Sequence, residues 1–127
     1  MTTVLDANVM IAALQSQDAH HAQVVEFLRT TTDDLCVPLL TLAESLVWQA
    51  RQGRADAALS VIIGMGVRIL PCDLTGALDL ATVRAATDLR MPDCVVLASA
   101  QAIGAKLATT DQKLAREAAK TGIKLAL

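Results

Sequence analysis

The sequence predicts an α/β domain with a mostly parallel central sheet covered by helices on both faces. Short apolar runs alternate with longer helical stretches along the whole chain, and Pro, Gly or Asp closes most of the runs. No repeat, linker or low-complexity segment breaks this alternation, so residues 1–127 are expected to form a single domain, a length that suffices to bury a core.

Val4 and Leu5 form a first strand that ends at Asp6, and a helix follows from about Val9 to Leu14; strand, carboxylate, helix opens a βαβ unit. Asp18 precedes a second helix bearing Val24, Val25, Phe27 and Leu28. Leu35 to Val37 reads as a second strand, closed by Pro38. A long helix is expected from about Thr41 to Gln52, ended by Gly53, and another from about Ala55 to Ile63, ended at Gly64-Met65-Gly66. Val67 to Leu70 is the third strand, stopped by Pro71, and Asp73 or Thr75 starts a helix running to about Leu89. Pro92 suits the first position of the next helix, with Val95, Val96, Leu97, Ala100 and Ile103. Leu107 to Thr109 is a fourth strand, Asp111 caps a helix to about Lys120, and Ile123 to Leu127 is expected as a last edge strand.

Composition narrows the function. The chain is 54% hydrophobic and 19% charged, with a mean hydropathy of +0.46, so part of its apolar surface is expected to be covered by a partner or a second copy. The most apolar stretch, Cys94 to Ala105, is broken by Ser99 and Gln101 and flanked by Asp93 and Lys106, which excludes a membrane span. Asp6 falls where a signal peptide needs an apolar stretch, making a cytoplasmic location the expectation. Cys36, Cys72 and Cys94 form no C-x-x-C pair and read as small core residues in a reducing compartment. His20 and His21 are adjacent on a helix and point to different faces, as surface residues do. A net charge of −2, with no Tyr, one Phe and one Trp, excludes both a broad basic nucleic-acid face and a base-stacking platform.

Four acids remain. Asp6 and Asp111 fall just after predicted strands, while Glu44 and Asp93 fall in the first turns of predicted helices. In an open parallel sheet the carboxyl ends of strands and the amino ends of helices share one edge, where ligands bind, so the four can converge. Gathered carboxylates repel one another unless cations neutralise them, and an oxygen-only set suits a hard ion, Mg²⁺ or Mn²⁺. Such an ion activates water and offsets charge on a phosphate. Each acid also has a structural reading. Asp93 complements a helix dipole, Asp111 serves as an N-cap, and Thr41-Leu42-Ala43-Glu44 spells a capping box. Asp6 has no capping role as obvious. Asn8 and Thr109 are placed to orient a carboxylate or a metal-bound water, or else to shape a turn and a strand. Arg51, Arg54, Arg84, Arg90, Lys113 and Arg116 are the cations best placed for phosphate.

The runs Val4-Leu5-Asp6-Ala7-Asn8-Val9, Thr41-Leu42-Ala43-Glu44, Met91-Pro92-Asp93-Cys94-Val95-Val96-Leu97-Ala98 and Leu107-Ala108-Thr109-Thr110-Asp111 resemble, in order and spacing, the motifs of the PIN-domain family. The resemblance spans essentially the whole chain and is strongest to the compact VapC-type toxins of prokaryotic toxin–antitoxin pairs. It implies a three-layer α/β/α fold and a Mg²⁺- or Mn²⁺-dependent endoribonuclease, usually dimeric and silenced by a cognate antitoxin. It also implies that Asp6, Glu44, Asp93 and Asp111 are the metal-binding and catalytic acids. Many relatives carry a further acid shortly after the last of these; here Gln112, Lys113 and Leu114 follow instead. Two other readings are open. A phosphatase using Asp6 as nucleophile wants a second acid two positions on, where this chain has Asn8. A phospho-receiver-like signalling module wants a pair of acids at the first strand end.

Overall fold

The four strands lie side by side in the computed structural model, which describes residues 1–127. They are β1 (Thr2–Leu5), β2 (Asp34–Pro38), β3 (Arg68–Leu70) and β4 (Lys106–Ala108). The sheet is wholly parallel in the order β3-β2-β1-β4. Thr3 pairs with Leu35 on one side and Lys106 on the other, and Cys36 pairs with Arg68. The chain thus builds outward from β1 through β2 to β3, then returns to add β4 on the far side of β1. The direction of winding reverses between β1 and β4, and their carboxyl ends flank the crevice where such sheets bind ligands.

Alternation along the strands sorts the core into two layers. Val4, Cys36 and Leu107 face one way, packing with Val83, Cys94, Leu97 and Leu114; their neighbours Leu5, Val37 and Ala108 face the other, with Val9, Met10, Val24, Leu42 and Ile62. The first layer receives α6 (Leu74–Ala86), α7 (Met91–Ile103) and α8 (Gln112–Lys120). The second receives α1 (Ala7–Leu14), α2 (His21–Thr30), α3 (Leu39–Ser45) and α5 (Ala55–Gly64). Sheet burial on both sides requires this three-layer arrangement. Gly104 closes α7 with φ of 62°, a left-handed turn that sends the chain directly into β4. At the opposite edge from the strand carboxyl ends, the Asp33 carboxylate accepts hydrogen bonds from Lys106 Nζ (2.9 Å) and the Thr3 hydroxyl (2.8 Å), tying three elements together. The Lys106 bond comes first among the causes that hold the Asp33 carboxyl below its usual range. No helix is long and apolar enough to cross a membrane.

Several elements differ from the sequence expectation. The long helix expected from Thr41 to Gln52 is two: α3, and α4 (Val47–Arg51), meeting at Leu46. At Leu46 the ladder tightens, its N–H donating to the Ala43 carbonyl three residues back at 3.2 Å, and the axis restarts at Val47. The helix also begins earlier, at Leu39, with extended Pro38 in the N-cap position. Thr41 is therefore its third residue, and the capping box is not formed. The expected last strand reduces to one bridge, Leu107 to Leu125, flanked by bonds from Leu107 N–H to Lys124 and from Ala126 N–H to Leu107. Helix α6 stops at Ala86, and Pro92 is the second residue of α7 rather than its first. Cys36 and Cys94 are buried as expected, but Cys72 is exposed. His20 is exposed, whereas half-buried His21 places Nδ1 2.6 Å from the carbonyl of Ala12.

Thr41 is 2% exposed, and its hydroxyl has no hydrogen-bond partner. A buried hydroxyl without a partner destabilises by about 1 kcal/mol or more. Thr41→Val keeps the shape and removes the polar atom, so it should raise the unfolding free energy by an amount near that figure and move the denaturant midpoint upward. A lower midpoint would show that the hydroxyl has work to do in the folded chain.

Candidate active site

The site begins with one buried carboxylate. β1 ends at Leu5, and Asp6, 3% exposed, turns the chain into α1. Asp6 Oδ1 accepts the N–H of Ala7 at 2.8 Å, and Oδ2 accepts the hydroxyl of Thr109 at 2.7 Å. Asp6 is thus also the N-cap of α1, a role the sequence reading passed over although a carboxylate directly before a helix was its signal. Burial pushes its pKa from 3.8 up to about 6, against the lowering effect of both hydrogen bonds and with the charges of Asp93 and Asp111 adding to the rise.

Thr109, just beyond β4 and buried, joins two of the acids. Its hydroxyl donates to Asp6 and accepts the N–H of Asp111 at 3.0 Å. Asp111 caps α8 through Oδ1, which accepts from the N–H groups of Lys113 (2.8 Å) and Leu114 (3.2 Å). Only Oδ1 is engaged in these bonds, so the second oxygen keeps its charge for the cleft. Capping therefore leaves one oxygen of Asp111 without a hydrogen-bond partner.

Asp93 is the third residue of α7 and half-buried. Desolvation raises its pKa first and the Asp111 charge next, while Arg90 and Lys113 act the other way. Glu44, the sixth residue of α3, is exposed on the second turn rather than the first. Its pKa is raised by desolvation, then by Asp93, with Arg90 opposing. The acids therefore feel one another across four elements: Asp6 with Asp93 and Asp111, and Glu44 through Asp93. No three of them already stand close enough to grasp an ion as arranged.

Asn8 is exposed on α1 and contributes no hydrogen bond to the cluster, unlike Thr109. Of the six candidate cations, Arg90 and Lys113 act on the acids. Arg54 instead lies over the Trp48 ring, 5.3 Å from its centroid, at a groove lined by Leu14, Gln49, Ala58 and Val61. A second, more apolar groove runs beside Leu40, Leu70, Leu80, Val95 and Ile103. The acids line neither groove.

The sequence profile of the PIN domain matches residues 3–120. The chain belongs to the PIN domain family. Its fold is that of VapC20 from Mycobacterium tuberculosis, a sarcin–ricin loop-cleaving toxin: TM-score 0.79 at 14% identity, covering 91% of this chain and 94% of that one. A toxin–antitoxin complex from Klebsiella pneumoniae gives TM-score 0.79 at 20% identity over 98% of both chains. VapBC2 from Rickettsia felis, bound to a promoter DNA fragment, gives 0.75 at 16% identity over 98% and 97%. No curated protein matches the chain in sequence.

A carboxyl whose pKa in the fold lies above its ordinary value stabilises the native state when protonated and loses that advantage as it ionises. For Asp6 the loss falls between about pH 4 and about pH 6, and on neutralising the group near pH 7 it amounts to about 3 kcal/mol. Asp6→Asn should therefore unfold at a higher denaturant midpoint than the metal-free parent at pH 7, with the gap closing toward pH 4. Equal midpoints at both pH values would contradict a buried, ionised Asp6.

Proposed function

We propose that this chain is a Mg²⁺- or Mn²⁺-dependent endoribonuclease and the toxin of a toxin–antitoxin pair. The observation that supports this reading is the buried carboxylate of Asp6 at the edge where the winding of the sheet reverses, coupled in charge to Asp93 and Asp111, with Glu44 coupled in turn to Asp93. Membership of the PIN family and the likeness to toxin folds support it. The donor set is all oxygen and anionic, as a hard divalent ion requires. When bound, the ion supplies the positive charge that makes a water acidic and offsets charge on a phosphodiester.

The chain's own residues have separable tasks. Asp6, held at both oxygens by Ala7 and Thr109, is the fixed member, since neither partner can move without disturbing β1 or β4. Asp93, Glu44 and Asp111 complete the donor set, and Glu44, being exposed, is the one free to accept a hydrogen bond from water or a ribose hydroxyl. Arg90 and Lys113 are the cations that meet the phosphate. With a net charge of −2 the chain has little long-range attraction for RNA, so recognition depends on this short-range pairing. The phosphatase reading gains no support: Asp6 is buried and doubly hydrogen-bonded, which blunts a nucleophile, and Asn8 offers no acid.

Two apolar surfaces suit two protein contacts. Trp48 and Val61 are exposed beside the groove at the end of α1, within reach of an antitoxin on the helices between Ala7 and Gln52. Leu74 and Leu78, 88% and 73% exposed, lie on α6 near the other groove, the face offered to a second copy of the chain. Leu78→Glu should convert a homodimer into a monomer by light scattering while leaving the monomer folded; an unchanged mass would place the dimer contact elsewhere.

RNA cleavage by the purified chain should require Mg²⁺ or Mn²⁺ and stop with a chelator, and Asp93→Asn should abolish it. Asp111→Asn gives the sharper test, because Asn caps a helix about as well as Asp. That variant should keep wild-type stability and lose most cleavage. Full cleavage by Asp111→Asn would leave Asp111 a cap alone, and full cleavage in chelator would sink the metal reading.

A further inference from the structure

Trp48, the only tryptophan of the chain, stands outside the core, half exposed, in the wall of a groove. The groove runs between the end of α1 and the α4–α5 pair and encloses about 620 Å³, within the usual size of a small-ligand cleft. Leu14, Ala58 and Val61 give it an apolar side. The Arg54 guanidinium lies over the indole, 5.3 Å from the ring centroid, and is a cation held on the wall rather than left free in water. Gln49, next to Trp48 in sequence, is 8% exposed and belongs to the same wall. Its side-chain amide bonds to no other group of the chain, so a donor and an acceptor open into the groove.

These features select an occupant. An apolar helix laid in the groove would bury the Gln49 amide against carbon and leave it unpaired, which is costly. A nucleobase is flat and apolar on its faces, and its edge carries donors and acceptors that a glutamine amide pairs with two at a time. The phosphate beside it is an anion for which a fixed guanidinium is a suitable partner. One tryptophan makes no platform for successive bases, but it serves a single one. The position also suits a strand held at the acids. Trp48 follows Glu44 by four residues, about 6 Å of helical rise. Leu46 between them keeps a right-handed helical backbone, and its carbonyl accepts the N–H of Ala50 at 2.8 Å.

We propose that this groove is a base subsite. It receives one base of a single-stranded RNA next to the acidic cleft, with Gln49 pairing to the base edge, Trp48 and the apolar side against its face, and Arg54 meeting its phosphate. The inference rests on the nuclease reading for the source of the base and names the residues that select the sequence held. A protein contact on the exposed Trp48 and Val61 would cover the mouth of the subsite.

The chain has no tyrosine and a single tryptophan, so tryptophan emission reads this groove alone. A short oligoadenylate is titrated into the full-length chain with a chelator present, so that binding is read without cleavage. Saturable quenching is expected, and Gln49→Leu, which keeps the volume, and Arg54→Gln should each weaken it severalfold. Circular dichroism checks the fold of Gln49→Leu; Arg54 is exposed, and its variant carries the test if the other fails to fold. Adenosine monophosphate should bind more weakly than the oligomer; equal affinity would make a free nucleotide the ligand and overturn the strand as its source. Unchanged emission, or one affinity for wild type and both variants, overturns the subsite and leaves the groove to a protein contact. Cleavage of RNA with Mn²⁺ by a chain whose Trp48 does not respond overturns the subsite alone. A response to the oligomer in a chain that cleaves no RNA with Mn²⁺ overturns the nuclease reading alone.

Discussion

The Thr109–Asp6 hydrogen bond is the contact on which the rest of the site depends. It joins the carboxyl ends of β1 and β4, the two strands between which the sheet reverses direction, and it does so with a carboxylate taken almost wholly out of water. Thr109 then passes the connection to Asp111 through its second hydrogen bond. A carboxylate in that position is expensive, as its raised pKa records. Proteins retain such strain where function uses it, and here the strain has the sign that a bound cation relieves.

The same logic orders the remaining acids by burial. Asp6 is fixed, Asp93 and Asp111 are partly screened at helix starts, and Glu44 is free on α3. The hydrophobic layers above and below the sheet hold the frame of the site, since Leu5, Val9 and Leu107 on either side of Asp6 and Thr109 are fully buried.

Much of this was legible in the sequence because strand ends and helix starts are local signals. The four strands and their parallel arrangement followed from apolar runs punctuated by Pro and Asp, and the four motifs in order pointed to the family that the profile match shows. What was not legible depended on contacts between distant residues or on competing local bonds. The break at Leu46 leaves no mark on periodicity, because the apolar pattern runs on through both sides of it. Thr41 followed by Glu44 satisfies the capping-box spelling, yet Pro38 in extended geometry starts the helix two residues sooner. The tail from Ile123 has strand-like composition but only a single bridge to β4. Asp111 was open between cap and ligand, and the structure shows that the cap occupies one of its oxygens. The bond from Lys113 to the Asp88 carbonyl was beyond the sequence, because it crosses 25 positions.

The central claim is that the fold assembles these acids around a divalent ion, with buried Asp6 as its anchor. Crystals of the chain soaked in Mn²⁺ and measured at the manganese absorption edge test it most directly. The account predicts an anomalous peak beside Asp6, with carboxylate oxygens of Asp6 and Asp93 at about 2.1 to 2.3 Å and Glu44 or Asp111 directly or through water. No peak at that edge of the sheet under saturating Mn²⁺, or a peak held by other residues, would contradict it.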